Sequence, residues 1–245
     1  MAVAVVGLQT RLMPIAFDIE TLRRSEMFSG LSPEALELVV AAGSVRRLPA
    51  GTRVFAQGDP GVSGHSLLEG RVKIVQTRAD GSQAVLRFIG PGEMYGTVAA
   101  LMNQAFPADA VAVVDSVEIW WTIPALRQLI RAHPEIGLRS TAAAGTRLLD
   151  LQSRMGEMTG ERVEQRIART LLRLMEKAGR PTDDGVEIDF PITRQDLAEM
   201  AGSTLHTVSR TLAAMDQRGV TGSARRRIIV RDPRALTQLA ETGVG

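Results

Sequence analysis

The sequence predicts an α+β chain in three consecutive parts: an antiparallel β domain, a long helix, and a small helical domain that ends in a hairpin. Three observations carry this. Between Ser44 and Pro124, short apolar runs alternate with Gly, Pro and Asp turns, the texture of an antiparallel barrel or sandwich. From Pro134 onward, apolar residues recur at alternating steps of three and four, as in one long helix. Beyond Thr193 come a helix, a glycine turn, a second helix and a hairpin, the order of a winged helix-turn-helix. The boundaries fall at 1–133, 134–160 and 161–245, and 245 residues suit several modest units better than one large core.

The first part opens with a helix over Ser32–Gly43, where Ser32 caps, Pro33 takes the first turn and Gly43 closes. The strands that follow are separated by Gly58-Asp59-Pro60-Gly61, Gly70, Asp80-Gly81 and Gly90-Pro91-Gly92. In the long helix, Thr141, Ala144, Leu148, Leu151, Met155 and Met158 form an a/d seam opposite Arg147, Asp150, Arg154 and Glu157. A stripe of that length with a polar opposite face pairs with a second chain, so this helix is expected to dimerise. After a break at Thr159-Gly160, Glu161–Ala178 is amphipathic and stops at Gly179. A strand over Gly185–Pro191 leads to helices at Thr193–Ala201 and Ser203–Arg218, then to two strands bracketing Arg225, Arg226 and Arg227. The Ala198…Gly202…Val208 spacing lets two helices cross closely at the turn.

Composition removes several classes of function. Without a cysteine there is no disulfide, thiolate nucleophile, Cys-bound zinc or iron–sulfur cluster. Gln9 and Arg11 interrupt the apolar opening before it reaches a membrane span, and no basic n-region precedes it, so a cytoplasmic protein without membrane contact is expected. No Gly-x-Ser-x-Gly elbow or phosphate-cradling Gly-x-x-x-x-Gly-Lys loop occurs. No metal-ligand spacing is visible, and an enzyme is not expected. Charge is uneven instead. Residues 1–160 are balanced, whereas Thr193–Arg231 carries seven Arg against three carboxylates. Arginine suits bidentate and phosphate recognition, although base composition of the genome produces the same enrichment.

The stretches Phe28-Ser29-Gly30-Leu31-Ser32, Pro49-Ala50-Gly51-Thr52, Gln57-Gly58-Asp59-Pro60-Gly61, Gly70-Arg71-Val72-Lys73, Gly90-Pro91-Gly92-Glu93 and Thr193-Arg194-Gln195-Asp196-Leu197-Ala198 resemble the CRP/FNR family of bacterial transcription regulators across nearly the whole chain. The resemblance implies an effector-binding β-roll of the cupin-like jelly-roll type, a dimerisation helix, and a winged helix domain that binds a pseudo-palindromic site on double-stranded DNA. It implies a homodimer working with RNA polymerase. Leu205, His206, Ser209 and Arg210 match positions facing base edges, with Arg210 the guanine reader. Thr193, Arg194, Gln195, Ser203 and Thr207 match phosphate-holding positions. Arg225, Arg226 and Arg227 are expected to add phosphate contacts from the wing. His206 departs from the family's usual Glu, so base preference at that step should differ. Ser203–Arg210 is also similar to the recognition helix of the NnrR-like branch, which points to nitric oxide, denitrification or anaerobic respiration as the signal.

The sensor part departs from cyclic AMP-binding members. Thr97 stands where they have a Glu for the ribose, Pro107 stands where they have an Arg for the cyclic phosphate, and Asp109 would repel that phosphate. Cyclic AMP in its usual mode is not expected. Met94, Tyr95, Thr97, Val98, Leu101, Met102 and Phe106, facing Ala144 of the long helix, form the expected effector pocket. Their character fits a flat apolar ligand, haem or a filled core, and the filled core is favoured. Haem would need an axial ligand, for which His65 is the candidate. A hairpin location after Ser63-Gly64 favours an exposed turn residue there instead. An effector-independent regulator and a ligand-binding module with a protein-interacting C-terminal half are the alternative readings.

Overall fold

The computed structural model describes residues 3–6 and 15–242. Two units divide it: Met1–Gln76 with Phe88–Asp150, and Thr77–Arg87 with Leu151–Gly245.

The first unit begins with β1 (Val3–Val6) paired to β2 (Ile15–Asp18), then α1 (Ile19–Arg23) and α2 (Pro33–Ala41). Ser32 caps α2 through Ala35 N at 3.2 Å, with Pro33 in the first turn as expected. Eight strands follow: β3 (Ser44–Leu48), β4 (Arg53–Phe55), β5 (Ser63–Glu69), β6 (Val72–Thr77), β7 (Gln83–Ile89), β8 (Met94–Tyr95), β9 (Asp109–Ala112) and β10 (Ser116–Thr122). A short helix α3 (Thr97–Leu101) separates β8 from β9. The strands form two four-stranded sheets, β3-β10-β5-β8 and β4-β9-β6-β7. Gly70 takes φ +89° between β5 and β6, where a Cβ would collide with Ser116, so only glycine serves.

Strand alternation sorts the side chains into two cores. Leu67 of β5 and Tyr95 of β8 face inward with Phe55, Val72, Ile89, Phe106 and Ala110 between the sheets. Leu68, Val117, Ile119 and Trp121 face outward and are covered by α1, α2, α4 (Ile123–Ala132) and the start of α5 (Pro134–Gly160). Trp121 fixes that cover: its Nε1 donates to Val39 O at 2.8 Å and its ring lies 5.3 Å from Phe28.

The second unit contains α6 (Val163–Ala178), β11 (Gly179–Thr182), β12 (Gly185–Ile188), α7 (Arg194–Ala201), α8 (Leu205–Gln217), β13 (Thr221–Ala224), β14 (Arg227–Val230) and α9 (Pro233–Thr242). Its sheet runs β11-β12-β14-β13. Ile167, Leu171, Leu197, Val208, Leu212 and Leu236 are fully buried. The fold is the expected α+β one, with a β-rich sensor domain, a long helix and a helix-turn-helix bearing a small sheet.

Several elements have no counterpart in the sequence pattern, α4, α9, α1 and β11 among them. Thr122 caps α4 and Pro124 sits in its first turn, so the proline taken as the end of the β region starts a helix. Asp232 Oδ1 accepts from Ala235 N at 3.0 Å and opens α9. Asp18 caps the short α1. Strand β11 contains Pro181, which its edge position tolerates.

Candidate nucleic-acid interface and sensor interior

Helix α7 starts at a reciprocal cap: Asp196 N donates to Thr193 Oγ1 at 3.0 Å and Thr193 N donates to Asp196 Oδ2 at 2.9 Å. It ends at Gly202, whose φ of 59° and ψ of 48° reverse the chain. Ser203 N then donates to Ala198 O at 2.8 Å, and Thr204 caps α8 through Thr207 N at 3.2 Å. The second helix therefore starts at Leu205 rather than at Ser203. Ala198 and Val208 are buried where the two helices cross, which is the contact their spacing requires.

Burying Val208, Leu212 and Met215 leaves the opposite face of α8 open. Leu205, His206 and Arg210 are exposed and Ser209 is half-buried. Arg194 and Gln195 are exposed on the first turn of α7, where Gln195 Nε2 donates to Glu199 Oε1 at 2.9 Å. Thr193 and Thr207 spend both their hydroxyls and their backbone N–H groups on the caps. Between α7, α8 and the wing lies a groove of about 500 Å³ lined by Thr193, Arg194, Gln195, Leu205, Arg225 and Arg226 among others.

The three wing arginines part company. Arg225 and Arg226 occupy the tip, and Arg226 holds φ +62° while its carbonyl accepts from Ile192 N at 3.2 Å. Arg227 instead lies in β14 and turns to Glu187 of β12, Nε to Oε1 2.6 Å. Arg180 of β11 reaches the other oxygen of Glu187 at 3.0 Å. Hydrogen bonding from Arg227 holds the Glu187 carboxyl below its usual range.

The expected effector pocket is dispersed. Met94, Tyr95, Thr97 and Phe106 are buried, Met94 in the outer core and Tyr95 and Phe106 in the inner one. Val98 and Met102 are exposed, with Leu101 and Ala144 half-buried. Aromatic rings fill the space between the sheets: Phe55 stacks on Phe106 at 3.8 Å and His65 on Tyr95 at 5.1 Å. Thr97 Oγ1 donates back to Tyr95 O, Pro107 is exposed, and Asp109 accepts from Gln57 N at 2.6 Å.

His65 corrects the sequence reading. It is 3% exposed in the middle of β5, not in a turn. The run Ser63–Glu69 lacks the apolar alternation of a strand because its inward position holds an imidazole, which hid the strand from pattern reading. Its Nε2 meets Ser63 Oγ at 3.0 Å and its Nδ1 meets Glu118 Oε2 at 3.2 Å. Glu118 is wholly buried and also accepts from Tyr95 OH and from Arg46 Nε at 2.6 Å. Both ring nitrogens are hydrogen-bonded among the packed rings of Phe55 and Tyr95, so an iron would have to displace Ser63 there, and the residues do not fit that group. The order Ser63–His65–Glu118 copies a hydrolytic triad in sequence of bonds only, since Tyr95 and Arg46 saturate the carboxylate that would orient the base. Glu118 escaped the sequence reading because one acidic residue in an apolar strand resembles an edge position.

In the seam of α5, Thr141, Leu148, Leu151 and Met155 are exposed and Ala144 is half-buried; the Met158 side chain lies outside the described residues. Leu138 adds a further exposed apolar side chain one turn earlier. Among the described residues no group of His, Cys, Asp and Glu could hold a metal, and no helix is long and apolar enough to cross a membrane.

Comparison with known proteins agrees with this architecture. Residues 45–133 match the cyclic nucleotide-binding domain and residues 165–239 match the Crp-like helix-turn-helix domain. The cyclic AMP receptor protein of Thermus thermophilus is 29% identical over 219 residues, covering 89% of this chain and 98% of its own. The nitrogen fixation regulation protein FixK of Azorhizobium caulinodans is 26% identical over 230 residues, covering 91% and 92%. The crystal structure of FixK2 from Bradyrhizobium japonicum shares the fold, with a TM-score of 0.71 at 20% identity over 80% of this chain and 96% of that one. Sensor domain, long helix and helix-turn-helix occur here in one order and nearly full length, and the chain belongs to the CRP/FNR family of ligand-sensing, DNA-binding transcription regulators, which are not enzymes.

Proposed function

We propose that the protein is a cytoplasmic homodimer, joined along α5, that places α8 of each protomer in the major groove of a pseudo-palindromic site and acts with RNA polymerase. One observation carries this reading: α8 exposes Arg210, and Leu205 at its start lines a groove together with Arg194, Arg225 and Arg226. Base edges are read by Leu205, His206, Ser209 and Arg210, of which Arg210 donates two bonds to guanine. Phosphates are held by Arg194, Gln195, Ser203, Arg225 and Arg226, with Thr193 and Thr207 at the caps of α7 and α8 completing the set. Arg227 serves the wing through Glu187 and leaves the phosphate set. Domains divide at 133 and 160, with α5 carrying the signal from sensor to reader.

The signal is something other than cyclic AMP in its usual mode, since Thr97 and Pro107 supply neither carboxylate nor cation. Control of nitrogen-oxide or anaerobic-respiration genes is the specific reading, supported by the NnrR-like string Ser203–Arg210 and by similarity to a protein named for nitrogen fixation regulation. The filled interior, with Phe55 on Phe106, favours a regulator whose free form is already packed. The test is the salt dependence of binding to a duplex site. A fall in affinity of about 10³-fold or more between about 50 and 200 mM salt is expected for six or so phosphate contacts. A flat profile would instead assign the C-terminal half to protein contacts.

A further inference from the structure

The inner core of the sensor is apolar except for one cluster. Glu118 of β10 is its centre and takes three donors: Arg46 Nε on one oxygen, His65 Nδ1 and Tyr95 OH together on the other. His65 is the only one of these that changes charge near neutral pH in its unperturbed state. Its remaining nitrogen faces a hydroxyl, Ser63 Oγ at 3.0 Å. A hydroxyl both donates and accepts. When His65 is neutral, Ser63 donates to Nε2; when His65 takes a proton from solvent at Nε2, Ser63 turns and accepts it. Both states are therefore fully bonded, and Ser63 is half-buried, on the path to water.

The two states differ in their hold on β8. His65 and Tyr95 share Glu118 Oε2. Charging the imidazole makes its bond charge-assisted and stronger, at the expense of Tyr95. Tyr95 is one half of the two-residue strand β8, and the other half, Met94, is tied through its carbonyl to Arg147 of α5 at 3.1 Å. Arg147 also pairs with Glu26 at 2.7 Å. The joint after β8 is equally tight: a Cβ on Gly96, at φ +70°, would lie 3.3 Å from the His65 ring and 3.1 Å from Phe55 and Phe106. The titratable and charged groups around His65 are Glu118 from β10, Tyr95 from β8 and, through Glu118, Arg46 from β3. Strand β4 offers it only the Phe55 ring.

We propose that this cluster is a proton-linked switch, in which protonation of His65 loosens Glu118 from Tyr95 and β8 passes the change through Arg147 to α5, so that DNA affinity depends on the charge of His65. The proposal rests on the DNA-binding reading above and adds a regulatory input to it. By reciprocity, if protonation alters DNA affinity, DNA must alter protonation by the same factor.

The experiment uses the full chain with all three histidines kept, and the signal lost in His65→Gln identifies that of His65. Its imidazole resonances are followed from about pH 5 to 8 by NMR, free and with saturating duplex site. The expected result is a titration whose midpoint moves by about half a unit or more on DNA binding, equal to a threefold change in affinity. Bound DNA with an unmoved midpoint, or no titration in this window, overturns the switch. Absence of DNA binding in the same samples would overturn the reading beneath it, and the two failures are thus told apart. Arg147→Gln in the otherwise unaltered chain should leave His65 titrating while removing the DNA-induced shift; a shift that persists refutes the route through β8.

Discussion

Arg227 Nε stands 2.6 Å from Glu187 Oε1, bracing the wing hairpin to β12, whereas its neighbours Arg225 and Arg226 are exposed at the hairpin tip. Of three consecutive arginines, one is thus committed to the sheet, and the proposed phosphate role falls to the other two. Replacing Arg225 and Arg226 with Ala should weaken DNA binding uniformly across sequences and lower the salt slope by about one for each. Arg227→Ala should leave that slope unchanged while loosening the hairpin. Salt titrations of the three variants by fluorescence anisotropy check this.

The backbone of Arg226 is held at φ +62°, a conformation that suits glycine and costs an arginine about 1 kcal/mol. Arg226→Gly should therefore stabilise the wing by about that amount, raising Tm by about 2–4 °C, and at the same time reduce DNA affinity. Thermal melts and binding on the same preparation measure both. Lowered stability together with lowered affinity would show that the side chain, not the turn, holds the hairpin.

Burial alone would lift the Glu118 carboxyl, but bonds from His65 and Tyr95 and the Arg46 charge hold it below the usual 4.5. Burial and the same carboxylate push the Tyr95 hydroxyl well above 10.0. A depressed carboxyl adds stability above its unfolded value that is lost as pH falls through the folded one. A raised phenol adds stability below its unfolded value that is lost as pH rises through the folded one. Stability should accordingly plateau between about pH 4.5 and 10 and fall on both sides. Glu118→Gln should flatten the acid limb. Glu118→Ala should cost about 3 kcal/mol, the lower end for a broken buried pair, because Arg46 can turn to water. Urea melts across the range report each effect.

Leu148 and Leu151 are 57% and 50% exposed on α5, and burying such side chains yields about 2 kcal/mol each. Leu148→Asp with Leu151→Asp should raise the dimer dissociation constant by at least about 100-fold, since each substitution occurs twice in a symmetric seam. Sedimentation velocity at micromolar concentration distinguishes the forms. An unchanged dimer would place the interface elsewhere.

What could be read from the sequence was what repeats or punctuates. The long helix α5, the Ser32-Pro33 start of α2 and the Gly202 turn each obey a local rule, and all appear where expected. Long-range pairing left no such trace. Glu118 and His65 are 53 residues apart, and nothing local in either strand says that each is buried against the other. Arg227 and Glu187 are likewise joined across 40 residues by strand pairing alone. The second helix began at Leu205 and not Ser203 because Gly202 and Ser203 complete the preceding cap. The residues expected to line the effector pocket are separated for a related reason, since neighbours such as Met94 and Tyr95 face different cores.

Selection of bound duplexes from a randomised pool shows whether α8 reads DNA as one half of a symmetric pair. The account predicts a two-fold symmetric motif with half-sites about one helical turn, roughly 34 Å, apart. It predicts that Arg210→Ala loses about 1–3 kcal/mol of discrimination at one guanine in each half and leaves the other positions as they were. Enrichment of no motif, or of a motif that Arg210→Ala reproduces unchanged, would contradict it.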